Sequence, residues 1–162
     1  MSKHNFKSLA EALARVQALL DENRPQDAAE LLRRSGISNS TLSNAYGVCL
    51  MRCGELDKAL DVYHNLCLST SVCVKRDVPA EHMANYATAL LLKRNVSGCR
   101  AVLQQIRESS NPAVVRLRSA IYQWEQSLSW AQRIRLKLLG RMPSRPIELP
   151  FPPGDLDGEH GP

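Results

Sequence analysis

Tyr46-Gly47-Val48-Cys49-Leu50-Met51-Arg52-Cys53-Gly54-Glu55-Leu56-Asp57-Lys58-Ala59-Leu60-Asp61-Val62-Tyr63 is the stretch that decides the fold. Apolar residues recur at helical spacing on both sides of Gly54. Glycine ends a helix readily because it enters the left-handed region without a Cβ clash. The stretch therefore reads as two antiparallel helices joined by a tight turn.

The pattern recurs. Forty residues on, Tyr86, Ala87, Leu90, Arg94, Val96, Cys99, Leu103 and Ile106 repeat Tyr46, Gly47, Leu50, Gly54, Leu56, Ala59, Tyr63 and Leu66. Thirty-one residues back, Arg15, Val16, Leu19, Asn23, Pro25, Ala28, Leu32 and Ser35 form a poorer copy. Small residues mostly fall where two helices must approach closely, and large ones where the gap between hairpins must be filled. Arg15, Val16 and Ser35 break that trend. Self-similarity of this kind marks stacked repeats, each burying its apolar face on the next.

The motif Tyr46-Gly47-x-x-Leu50-x-x-x-Gly54-x-Leu56-x-x-Ala59-x-x-x-Tyr63 resembles the tetratricopeptide repeat, and the likeness covers residues 8–109. The family's period is about 34 residues, unlike the two offsets here. The proline that usually closes a repeat is missing from the central copy, and Arg94 stands where glycine is expected. These departures predict a less regular superhelix. The expected fold is all-α: stacked antiparallel helix hairpins, about three tetratricopeptide-like repeats, with C-terminal capping helices and an extended proline-rich tail. The expected divisions are an arm at 1–7, repeats at 8–36, 40–69 and 79–109, a capping helical segment at 111–140 and a tail at 141–162.

Boundary residues support these divisions. Ser8-Leu9-Ala10-Glu11 is a capping-box pattern. Pro25 suits a first helical position, which needs no N–H. Ser40 and Thr41 are expected to cap a third helix, Asp77 and Pro79 to restart a fifth after a polar loop, and Ser97 to open a sixth. Asn111-Pro112 starts a seventh, whose stripe is Val114, Leu117, Ile121, Trp124 and Leu128. Trp124 is expected in the core. Trp130, Ile134 and Leu138 continue an apolar side, while Leu136 and Leu139 point elsewhere.

In the family that the chain resembles, the first helix of each hairpin lines a concave groove. The resemblance makes Gln17, Asp21, Asn44, Val48, Met51, Arg52, Glu81, Asn85 and Thr88 the candidate peptide-binding residues. Asn44 and Asn85 suit the backbone of an extended peptide, because an amide both donates and accepts. Met51 adapts to an apolar side chain. These residues are otherwise solvated, or covered by the chain's own C-terminal segment. Some family members grip a terminal carboxylate with basic residues. The matching positions here hold Leu13, Gln17, Ala45, Glu81 and Asn85, so no such clamp is expected.

Between Arg133 and Arg145 lie Arg133, Arg135, Lys137, Arg141 and Arg145, with no acid among them. This candidate basic patch suits an acidic protein or an anionic membrane surface. Nucleic acid ranks last, since no exposed aromatic platform is evident. The plain alternative is a solvated outer face. Beyond it, Pro146-Ile147-Glu148-Leu149-Pro150-Phe151-Pro152-Pro153-Gly154-Asp155-Leu156 cannot form a helix, yet is rich in apolar side chains. The expectation is that this strip docks on the protein's own surface or in a partner. Residues 157–162 read as disordered.

With 162 residues, 44% apolar and 23% charged, the chain fits one ordinary globular domain. Its net charge of +5 is a mild excess. No apolar run is long enough for a membrane span, and no secretory leader is visible, so a cytoplasmic location is expected. The five cysteines are odd in number and include no CxxC pair, which suits reduced thiols. No catalytic, cofactor or metal motif stands out. The expected function is a non-catalytic interaction module or adaptor that binds a peptide or a partner helix. Two alternatives remain. One is a specialised chaperone, similar in size and three-repeat plan to those of type III secretion, although the basic balance and tail argue against it. The other is a membrane-peripheral adaptor using residues 128–145.

Overall fold

The computed structural model describes residues 8–36, 39–70, 73–139 and 147–156. Among these the chain is all-helical, with α1 (Leu9–Asp21), α2 (Pro25–Ser35), α3 (Ser40–Arg52), α4 (Leu56–Cys67), α5 (Ala80–Leu92), α6 (Val96–Gln105), α7 (Pro112–Ser127) and α8 (Trp130–Leu139). Pairing of Leu68 with Val74 pinches the loop after α4.

The helix ends follow local chemistry. Ser8 accepts a hydrogen bond from the Glu11 N–H, satisfying a free donor of the first turn. Pro25 and Pro112 occupy the start of α2 and α7. Three expected starts move. Asn39, not Ser40 or Thr41, caps α3 by accepting from Leu42 N–H. Asn95 caps α6 ahead of Ser97. Asp77 lies in a turn at φ 58°, and α5 begins only at Ala80.

The three hairpin turns are alike in detail. Asn23, Gly54 and Arg94 all have positive φ, at 57°, 77° and 63°. The N–H groups of Arg24, Glu55 and Asn95 donate to the carbonyls of Leu19, Leu50 and Leu90 in turn. The same turn thus recurs at the sequence offsets of 31 and 40 residues. Arg94 adopts the conformation that Gly54 adopts, at a steric cost that glycine avoids.

The pairs α1–α2, α3–α4 and α5–α6 form hairpins, and α2 packs on α3 as α4 does on α5. The first helices also touch in order, α1 on α3, α3 on α5 and α5 on α7, so they line one continuous face. Within the second hairpin Gly47 leaves room for Tyr63, where a Cβ would stand 2.6 Å from the ring. The repeat-equivalent pairs are Ala87 with Leu103 and Val16 with Leu32, all buried. A smaller partner than tyrosine leaves space for a larger residue opposite, so Val16 is compensated by Leu32.

The C-terminal segment is helical as expected, but the side that its second helix buries differs. It is two helices, broken at Leu128, whose backbone is extended (φ −79°, ψ 146°). Trp124 is in the core, but Leu136 turns inward and Trp130 stays 78% exposed, the reverse of the expected side. The break at Leu128 resets the helical phase, so α8 does not continue the stripe of α7.

Candidate functional site: a groove filled by the chain's own strip

Residues 147–156 lie along the face lined by α3, α5 and α7, bending at residues 150, 151 and 153. Prolines at 150, 152 and 153 keep the strip from coiling. Ile147 and Leu149 pack against the core, and Leu156 is buried within it.

Two asparagines hold the strip's main chain. Asn85 Oδ1 accepts from the Asp155 N–H at 2.9 Å, and Asn85 Nδ2 donates to the Asp155 carbonyl at 2.8 Å. Asn44 Nδ2 donates to the same carbonyl at 3.2 Å. Asn85 Nδ2 also donates to Asn44 Oδ1 at 2.8 Å, and the Tyr63 hydroxyl donates to the Asn44 carbonyl at 3.2 Å. A hydrogen-bonded chain therefore runs from the core of the second hairpin through both amides to the strip. Asn44 and Asn85 are fully buried, so these bonds carry the desolvation cost of both amides.

Charge and shape complete the site. Arg52 donates from Nε to the Pro153 carbonyl at 3.3 Å and from Nη2 to the Gly154 carbonyl at 3.0 Å. Arg116 on α7 pairs through Nη2 with the Asp155 carboxylate, whose side chain is 13% exposed. The Arg116 guanidinium also lies over the Phe151 ring, 5.1 Å from its centroid. Gly154 has φ 82°, and a Cβ there would lie 2.9 Å from Val48 Cγ2 and 2.6 Å from Met51 Cε.

Of the candidate groove residues, Asn44, Val48, Met51, Arg52 and Asn85 meet at the strip. Thr88 is buried but donates to the Ala84 carbonyl within α5. Gln17 donates to Asp21 along α1 at 2.8 Å. Glu81 is half-buried at the start of α5. Arg116, Gly154 and Asp155 were not among the candidates. Arg116 lies beside the apolar stripe of α7 and reads as an ordinary surface base, and only the docked strip gives it a role.

Of the basic patch, the side chains of Arg133 and Arg135 are described. Arg133 donates to the carbonyls of Leu128 and Gln126, closing the end of α7. Arg135 is exposed. The Lys137 side chain, Arg141 and Arg145 lie outside the described residues. Among the described residues no helix is long and apolar enough to cross a membrane, and no group of three His, Cys, Asp or Glu side chains converges to hold a metal. No protein-family model, curated protein or solved structure matches this chain.

Proposed function

We propose that the chain is a tetratricopeptide-like interaction module, whose groove binds extended peptide segments and is held closed by its own strip. The observation that carries this reading is the set of main-chain hydrogen bonds from Asn44, Asn85 and Arg52 to residues 153–155. Such bonds recognise extended backbone whatever its source, while side-chain pockets supply selectivity. A segment from a partner therefore finds the same donors and acceptors once the strip leaves. The seven residues 140–146 tether the strip to α8. An intramolecular competitor of this kind acts at an effective concentration on the order of millimolar. Only a partner that is tight, or locally concentrated, opens the groove.

The test is a titration of the peptide 147–156 into a chain ending at Leu139, followed through the side-chain amide signals of Asn44 and Asn85. Both signals should shift at saturation, and Asn85→Ala should abolish binding. A folded, shortened chain that leaves the peptide unbound overturns the reading.

A further inference from the structure

We infer that the partner segment is a non-helical Gly-Asp-apolar sequence preceded by proline, with Arg116 reading its acid and Val48 excluding a side chain before it. This inference rests on the peptide-groove reading above and specifies its ligand.

Each element of the sequence has its own reader. Asn85 both donates to and accepts from one residue, Asp155, which fixes the register. One step earlier the chain has φ 82° and no space for a Cβ. Met51 Cε is the end of a flexible side chain and could move. Val48 is β-branched, stiff and fully buried, so it cannot. Glycine is thus required for both conformation and space. At the register position itself the carboxylate, 13% exposed, meets the half-buried Arg116 in a charge-assisted pair. One step later Leu156 is 2% exposed, in a socket continuous with the core. Ahead of the glycine, prolines lower the entropy lost on binding by keeping the free segment extended. Phe151 stacks on the same guanidinium that holds the acid, so an aromatic residue four positions before the acid reinforces the pair.

The experiment uses the full chain with its own strip disabled by Asp155→Lys and Leu156→Asp. A labelled peptide of sequence 147–156 is titrated by fluorescence anisotropy, alongside peptides carrying Gly154→Ala, Asp155→Asn or Leu156→Ala. The unaltered peptide should bind the disabled chain well and the native chain at least about tenfold more weakly, because the native strip competes. Each altered peptide should bind the disabled chain about tenfold or more weakly than the unaltered one. Adding Arg116→Glu to the disabled chain should reverse the preference, favouring a peptide with Asp155→Arg. Equal binding of all peptides overturns this inference and leaves the peptide-groove reading intact. Binding of none of them by the folded, disabled chain overturns both. If the disabled chain fails to fold, a full chain with a protease site at 141–145, cut after folding, takes its place in the same titrations.

Discussion

Gly47 and Gly54 are seven residues apart and favoured for opposite reasons. Gly54 sits at φ 77° with nothing within 4 Å of where a Cβ would stand. Gly47 is helical but lies against the Tyr63 ring. Gly54→Ala should therefore cost about 1 kcal/mol, from backbone strain alone. Gly47→Ala should cost more, about 2–3 kcal/mol, because Tyr63 is buried and bonded to Asn44 and cannot step aside. Denaturant unfolding of both variants checks the order. Much at this scale was legible in the sequence. Gly54 announced its turn, and the repeat resemblance put Asn44 and Asn85 among the groove candidates as amides suited to a peptide backbone. Arg94 was not legible, because nothing in an arginine signals positive φ. The register of its repeat demands that conformation, and the surrounding hairpin imposes it.

At the level of elements, the stack is held by close approach of helices, and its cysteines report on that approach. Burial pushes the thiols of Cys49 on α3, Cys67 on α4 and Cys99 on α6 up to about 12, and raises that of half-buried Cys53 less. Thiolate is the reactive form. At pH 8, iodoacetamide should modify exposed Cys73 first and Cys53 slowly, leaving the other three until the helices separate. Mass spectrometry along a denaturant series would read this out, and early modification of Cys67 would mean that α4 and α5 part easily. The raised values also set a sign. Burying neutral thiols stabilises the fold below their ordinary value of 9.0, and that contribution is lost as pH rises toward 12. Helix periods, stops and pairing were readable because periodicity is local. The orientation of α8 was not, since the extended backbone at Leu128 resets its phase without glycine or proline to mark the place.

Across the whole molecule, the strip joins α3, α5 and α7, elements that otherwise meet only as neighbours in a row. Removing residues 146–162 should lower the melting temperature by roughly 5–10 °C, given burial of Leu156 and loss of several buried hydrogen bonds. Scanning calorimetry of the two chains measures it, and an unchanged transition would mean that the strip adds nothing to the stack. Its docking was half legible: four apolar residues among prolines called for cover. Where it docks was not legible, since Asn44 and Asp155 are 111 residues apart and no local pattern links them. That separation also orders events in time. The helices fold through contacts between sequence neighbours, which close small loops and form fast. The strip must wait for a surface that does not exist until three hairpin turns are made. If folding follows that order, the stack is built while its groove is still bare. Under the proposed peptide-groove function, a partner present at that moment would meet no competitor, and the order of synthesis and encounter, as well as affinity, would decide which segment the groove first holds.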